Sequence, residues 1–161
     1  MEADMTTILS IDPGKMTGLA WGRFSDTDPY EVNEYTAVEF DDLSDMIWNG
    51  KHPWADILVI ERFVPQSGTD YTLKEDDLAG VEVIGMLKHG LVHDFNEVYY
   101  QLRSEKWNVP DQLLKDHGLW ADGKDVNWTD GRDVNDAIIH ALVLLKKKEH
   151  LPTLRKYFRG A

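Results

Sequence analysis

The sequence predicts an α/β fold built on a mixed five-stranded sheet flanked by helices. Three strand-like stretches come first, and the short turns between them predict antiparallel pairing: residues 7–12, 18–24 and 34–40. The run DILVIERF at 56–63 is almost continuously apolar, which is typical of a strand buried on both faces. Helical patterns separate the later strands, so these are expected to join the sheet in parallel.

The helices follow from periodicity and from terminating residues. DDLSDMIWNG at 41–50 predicts a short helix that ends at Gly50. Residues 73–90 have apolar side chains at helical spacing, which predicts a helix with one buried face: Leu78, Val81, Ile84 and Leu87.

The second half of the chain adds a strand and the strongest helix. EVYYQL at 97–102 predicts the fifth strand, and residues 104–118 predict one helix with Pro110 early in it, or two short helices. Residues 132–148 predict a long helix, and one side of it is apolar: Val134, Ile138, Ala141 and Leu145.

Composition narrows the class of protein. The 161 residues are 42% hydrophobic and 29% charged, which predicts one soluble globular domain over 1–161. No stretch approaches the ~18 consecutive apolar residues of a membrane span. The acidic start MEADMTT is unlike a secretory signal, so we expect a cytoplasmic protein. The absence of cysteine excludes disulfides, thiolate metal sites and cysteine nucleophiles.

The net charge of -12 is unevenly distributed. Residues 1–100 hold 6 basic and 20 acidic side chains, whereas residues 101–161 hold 11 and 9. A basic helical extension is predicted at about 149–161, where lysines near a helix end complement its dipole. The total charge disfavours nonspecific DNA binding, but it permits a local basic groove or an acidic cluster neutralised by metal ions.

Four acidic residues stand at the ends of predicted elements. Asp12 ends the first strand, Glu61 lies near the end of the buried strand, and Asp133 and Asp136 open the last long helix. Asp12 alone could be a turn former, and Asp133 alone could be a helix cap or first-turn acid. Glu61 follows Ile-Leu-Val-Ile, so its carboxylate is expected to be partly buried and to need a partner.

Together these acids predict a metal site. Ligands of α/β sheets collect at strand ends, and the two most apolar strands are expected to be central neighbours. The spacing of Asp133 and Asp136 puts both on one helix face. Clustered carboxylates repel one another unless a hard cation such as Mg²⁺ or Mn²⁺ neutralises them. Two such ions about 4 Å apart would bind a phosphodiester for attack by water.

The stretch ILSIDPGKMTGLAWG at 8–22 fits this chemistry. Its glycines leave the backbone beside Asp12 free of side chains, which gives a phosphate and its metal ions room to approach. Lys15 lies in the turn, where it would contact a phosphate or be solvated. His140 lies one turn after Asp136 and would be an accessory base, a core residue or a subunit contact.

This stretch resembles the opening hairpin of the RuvC family of Holliday junction resolvases, which have the RNase H-like fold. LVIERF resembles that family's second acidic strand, and DVNDAIIHAL resembles its last motif. The resemblance covers nearly all of the chain and implies a homodimeric, metal-dependent endonuclease that cuts four-way DNA junctions. It implies two Mg²⁺ ions per site, replaceable by Mn²⁺, on the family's four ligand positions: Asp12, Glu61, Asp133 and Asp136.

The resemblance also implies residues that contact DNA. QLRSEKW resembles the segment in which the family keeps two basic residues near the scissile phosphate, here Arg103 and Lys106. The closest match to the aromatic residue that enters the junction centre is Phe63. The basic extension would add phosphate contacts that the acidic body lacks. The small, acidic chain is typical of a bacteriophage version, which would act in the host cytoplasm.

Three alternatives remain open from the sequence. Related nucleases process flaps, forks or R-loops, or cut duplex DNA. A non-catalytic relative would only bind junctions, although all four acidic positions are filled here. Actin-like ATPases and sugar kinases also open with Asp-x-Gly and a later Thr, but they need two such domains and the chain has no second such element. No nucleotide cofactor is therefore expected.

Overall fold

The computed structural model describes residues 4–51, 54–62, 75–122 and 131–158. The strands and helices are β1 Thr6–Asp12, β2 Met16–Phe24, β3 Glu31–Glu39, α1 Phe40–Trp48, β4 Ile57–Arg62, α2 Glu75–Gly90, β5 Glu97–Leu102, α3 Asp111–Asp116, α4 Arg132–Lys147 and α5 Leu151–Thr153. Short 3₁₀ helices lie at Val92–Asp94 and Arg103–Asn108, and a π-helical turn follows α5 at Leu154–Phe158.

The predicted mixed five-stranded sheet is confirmed. Its strand order is β3-β2-β1-β4-β5. The first three strands pair antiparallel, whereas β4 pairs parallel to β1 and β5 pairs parallel to β4. Short turns permit the antiparallel pairs, while each parallel strand needs a crossover through a helix. The segment 104–118 is divided between the second 3₁₀ helix and α3, which is the two-helix alternative.

Alternation along the central strands assigns their side chains to two cores. Ile8 of β1 and Val59 of β4 belong to the core against α4, whereas Leu9 and Leu58 belong to the core against α1 and α2. Successive residues of a strand face opposite sides of the sheet. Asp12 at the end of β1 and Glu61 near the end of β4 have the same parity as Ile8 and Val59, and they therefore face α4.

The predicted buried face of α2 is wrong in its first half. Leu78 and Val81 are 45% and 44% exposed, whereas Val83 and Leu87 are fully buried. Ile84 is partly buried against the same core. Apolar residues lie on two faces of this helix, and packing against the sheet selects only one of them.

The predicted apolar side of α4 is buried, and so is the rest of its middle. Every residue from 134 to 145 is buried. The sheet covers one side of the helix, while Val109 and Leu114, which precede α4, and Tyr157, which follows it, belong to the same core. A helix that is buried all round cannot shift easily, so the acids at its start are rigidly placed.

The C-terminal segment is tied to the body by buried hydrogen bonds. The Tyr157 hydroxyl donates to the carbonyl of Tyr30 at 2.7 Å, and the Tyr30 amide donates to Oγ1 of Thr153 at 2.9 Å. Lys156 lies 3.6 Å from Glu31, so at least part of the positive charge of this segment is balanced within the chain. In the ranges that the structure describes, no helix has the length and apolarity needed to cross a membrane.

Gly18 sets the distance between β2 and α4. A Cβ atom at Gly18 would lie 2.1 Å from the carbonyl oxygen of Asp133 and 2.6 Å from the amide nitrogen of Val134. Gly18 pairs with Asp12 across the hairpin. This glycine therefore makes room for the start of α4, rather than for a phosphate as the sequence suggested.

We expect Gly18→Ala to destabilise the protein by about 2 kcal/mol or more, because the added methyl group meets backbone that cannot rotate away. Urea unfolding measures the change. Gly85→Ala is the matched control, since a Cβ there meets nothing within 4 Å and alanine favours the helix by about 0.5–1 kcal/mol. Equal stabilities for the two variants would show that α4 does not depend on this contact.

Candidate active site

Three of the four predicted acids converge on the face of the sheet that α4 covers. Ile11 of β1 lies opposite Ile60 of β4, so the next residues, Asp12 and Glu61, are adjacent at the strand ends. The Ser10 hydroxyl donates a buried 2.6 Å hydrogen bond to the carbonyl of Ala137. This bond fixes the first turns of α4 on β1 and brings Asp136 to the two strand ends.

Lys106 lies between two of these acids. Its ammonium nitrogen is 2.7 Å from Oδ2 of Asp136 and 3.1 Å from Oε2 of Glu61, and its side chain is only 9% exposed. The other carboxylate oxygen of Asp136 is 2.9 Å from a guanidinium nitrogen of Arg132. Arg132 also binds Asp111 of α3 at 2.6 Å. One buried ammonium therefore bridges β4 and α4.

The pKa values report the mutual repulsion of the acids. Burial, followed by the charges of Glu61 and Asp136, raises the pKa of Asp12 well above its ordinary value. Burial would also raise the pKa of Glu61, but hydrogen bonds from His140 and Lys106 outweigh it and the pKa is lowered. Burial disfavours the charged form of Lys106 and on its own would lower the pKa of the ammonium. Attraction to Asp12, Glu61 and Asp136 outweighs burial, and the pKa is raised.

A second buried chain of contacts reaches Glu61. Nε2 of His140 lies 2.8 Å from Oε2 of Glu61. The other ring nitrogen lies 2.6 Å from the side-chain amide of Gln101. Gln101 is paired in register with Glu61 between β5 and β4, so both side chains face α4.

The chemistry of these donors fits a divalent metal ion. Carboxylate oxygens are the ligands that Mg²⁺ and Mn²⁺ prefer, and the ammonium of Lys106 is a cation already held by two of them. Within the described parts of the chain, no three Asp, Glu or His side chains are arranged to hold one ion as they stand. A metal ion would therefore have to displace the ammonium or reorient a carboxylate.

The remaining predicted site residues have different surroundings. Asp133 is partly exposed at the start of α4, where its charge also raises the pKa of Asp12. Lys15 is exposed in the β1–β2 turn, and Arg103 is exposed at the start of the second 3₁₀ helix. Phe63 lies outside the described residues.

Sequence analysis did not single out Gln101 or Arg132. Gln101 is two residues after Tyr99 in β5, so both side chains face the same side of the sheet. Because Tyr99 packs against the core of α4, this spacing could have predicted that Gln101 faces α4. Arg132 precedes Asp136 by four residues, a spacing that allows an ion pair on a helix.

We expect Asp12→Asn to be more stable than the unchanged chain in metal-free buffer at pH 8. Because the folded pKa of Asp12 is raised, the folded state binds more protons than the unfolded state above about pH 4, and stability falls as pH rises. Asparagine carries no charge at any of these pH values, so the variant does not lose this stability as pH rises. Melting temperatures in EDTA should differ most at pH 8 and converge towards pH 4. A difference that did not change with pH would contradict the assignment.

The fold defines a class. A hairpin-led mixed sheet of order β3-β2-β1-β4-β5 with flanking helices is the RNase H-like arrangement. No protein-family model matches the chain, and no curated protein matches its sequence.

Solved structures of two resolvases have a similar fold. The chain is similar to Thermus thermophilus RuvC in complex with a Holliday junction substrate, with 13% identity and a TM-score of 0.62 over 91% of this chain and 97% of that one. It is also similar to the Fowlpox virus resolvase in complex with Holliday junction DNA, with 13% identity and a TM-score of 0.57 over 88% and 98%. The resemblance to the RuvC family is therefore confirmed in the fold.

Proposed function

We propose that this chain is a metal-dependent endonuclease that resolves four-way DNA junctions. The observation that carries the proposal is the convergence of Asp12, Glu61 and Asp136 around a buried cation, in a fold shared with two junction resolvases. The raised pKa of Asp12 indicates that its ionised carboxylate is disfavoured by burial beside Glu61 and Asp136. Such repulsion is common where a cation or substrate supplies the compensating interaction.

Four residues would hold the metal ions: Asp12, Glu61, Asp133 and Asp136. Bound Mg²⁺ or Mn²⁺, two ions per site, supplies positive charge to the phosphodiester and lowers the pKa of a bound water. The protein supplies the rigid placement of the acids, through the hydrogen bond from Ser10 and the burial of α4. Asp133 and Glu61 are partly exposed, whereas Asp12 and Asp136 are buried.

Phosphate contacts come from exposed basic residues beside the acids. Arg103 precedes Lys106 by three residues, and a 3₁₀ helix has three residues per turn, so the two share one face. Lys15 lies in the turn directly after Asp12. These few cations act locally, because the body of the protein is acidic. We therefore expect DNA binding with a shallow dependence on salt concentration.

A two-fold dimer would place two such sites on a two-fold junction. The exposed apolar side chains of α2, Leu78 and Val81, are the surface that we assign to the dimer interface.

We expect Val81→Arg to shift the protein towards monomer in analytical ultracentrifugation and to replace paired nicks with single nicks. Leu151→Arg is the control, since it puts the same charge on an exposed apolar residue of α5. A dimer that survives Val81→Arg would place the interface elsewhere.

A panel of DNA substrates tests the function. Four-way junctions, flaps, forks, R-loops and linear duplex are incubated with Mg²⁺, Mn²⁺, Ca²⁺ or EDTA. We expect paired, symmetric nicks in the four-way junction with Mg²⁺ or Mn²⁺, and none with EDTA. Faster cleavage of flaps, forks or R-loops would retain the nuclease and change its substrate.

A non-catalytic junction-binding protein is the second candidate. The position of Lys106 between Glu61 and Asp136 favours it, because the ammonium could neutralise these acids permanently. Junction binding without cleavage at any Mn²⁺ concentration would support this candidate and exclude the nuclease.

A further inference from the structure

We propose that His140 is a positioning residue for the carboxylate of Glu61, and that Gln101 fixes the imidazole in the form that this role requires. The inference rests on the proposed function, in which Glu61 is a ligand of the metal ions. The three side chains come from α4, β4 and β5, so the contact also joins the helix to both parallel strands.

The contact between His140 and Glu61 is short and shielded from water. Nε2 of His140 lies 2.8 Å from Oε2 of Glu61, and His140 is 0% exposed. The same oxygen of Glu61 lies 3.1 Å from the ammonium of Lys106. Donors from two different elements therefore hold one carboxylate oxygen, and this restricts the rotation of the whole group.

Gln101 decides which ring nitrogen carries the proton. The side-chain amide of Gln101 can use all of its hydrogen-bonding groups in one orientation. In that orientation its nitrogen donates to Nδ1 of His140 at 2.6 Å and to the His140 carbonyl oxygen at 3.1 Å. Its oxygen then accepts from the amide of Leu144 at 3.3 Å. Because Nδ1 accepts a hydrogen bond, the neutral ring carries its proton on Nε2, where it is donated to Glu61.

Packing alone does not explain these polar residues. His140 is in the middle of a helix in which all residues from 134 to 145 are buried. An aliphatic side chain would fill the same space without removing polar atoms from water. Burial of an imidazole and an amide is unfavourable unless both are hydrogen bonded, and here both ring nitrogens are used. The hydrogen bonds lead from Gln101 through His140 to Glu61, which is a candidate metal ligand. In metal sites, residues that hydrogen bond to a ligand in this way hold it in the orientation that binds the metal ion.

The test compares His140→Leu, His140→Gln and Gln101→Leu with the unchanged chain. Calorimetric titration with MnCl₂ in the absence of DNA gives the metal affinity, and junction cleavage gives the Mn²⁺ concentration for half-maximal rate. We expect His140→Leu to weaken Mn²⁺ binding by about 10–100-fold, as is usual for residues that orient metal ligands. His140→Gln should recover part of this loss, because its amide can still donate to Glu61.

Gln101→Leu should also weaken Mn²⁺ binding, since the ring is then free to turn or to change its tautomer. Thr153→Val is the control for a lost buried hydrogen bond, because Thr153 is fully buried and bonds to Tyr30 rather than to the acids. It should leave Mn²⁺ affinity unchanged. In the His140 and Gln101 variants, the Mn²⁺ requirement for cleavage should rise more than the maximal rate falls.

Unchanged Mn²⁺ affinity in His140→Leu and Gln101→Leu, with lost affinity in Glu61→Gln, would overturn the positioning role and leave the nuclease intact. If His140→Leu does not fold, unchanged affinity in Gln101→Leu decides the question in the same way. Failure of the unchanged chain to bind Mn²⁺ at all would overturn both the positioning role and the proposed function.

Discussion

Asp12→Asn and Asp136→Asn are each expected to slow junction cleavage by about 10³-fold or more. Both residues belong to the carboxylate cluster around Lys106, and loss of a ligand charge removes several kcal/mol of the stabilisation that a metal site gives a phosphodiester transition state. The rate under single-turnover conditions with Mg²⁺ measures the effect. Junction binding in Ca²⁺ should be retained, because asparagine adds no negative charge near the phosphates.

Asp116→Asn is the matched control for these two variants. It makes the same substitution in an exposed acid of α3, which bonds only to Gln112 in the hydrogen bonds that the structure describes. Its cleavage rate should equal that of the unchanged chain. Cleavage by Asp12→Asn or Asp136→Asn at the control rate would show that the buried acids serve only the fold.

Lys106→Met should destabilise the metal-free protein by about 3 kcal/mol, or about 6–12 °C in melting temperature for a chain of this size. Methionine fills a similar volume, but it leaves the carboxylates of Glu61 and Asp136 buried without the cation that now bridges them. Added Mn²⁺ should restore most of the lost stability, since it supplies positive charge at the same place. Thermal unfolding in EDTA and in Mn²⁺ measures both effects.

Lys88→Met provides the comparison for Lys106→Met, because Lys88 is exposed and lies over the ring of Tyr100. We expect a change of at most about 1 kcal/mol there. If Mn²⁺ stabilised Lys106→Met no more than the unchanged chain, the ammonium and the metal ion would not share a binding place.

The sheet could be predicted because its signals are local. The apolar run before Glu61 identified β4, and the short turns identified the antiparallel hairpins. The expected adjacency of β1 and β4 followed from their being the two most apolar strands, and the structure confirms it by pairing Ile11 with Ile60. The predicted convergence of the strand-end acids depended on that adjacency.

Features that depend on long-range packing could not be predicted in the same way. Leu78 and Val83 lie on different faces of α2, and only contact with the sheet selects the face that is buried. The segment that carries Lys106 was recognised as basic, but its fold back onto two carboxylates has no local signal. The partnership of His140 with Gln101 likewise needs the register of β4 and β5.

The order in which the acids occur along the chain has a consequence for the cell that makes this protein. Asp12 and Glu61 emerge early from the ribosome, but Asp136 lies on α4, which follows every strand of the sheet. In the proposed function, a nascent chain therefore lacks part of the carboxylate cluster until α4 has been made, and a proteolytic fragment without α4 is expected to bind no metal ions and to cut no DNA.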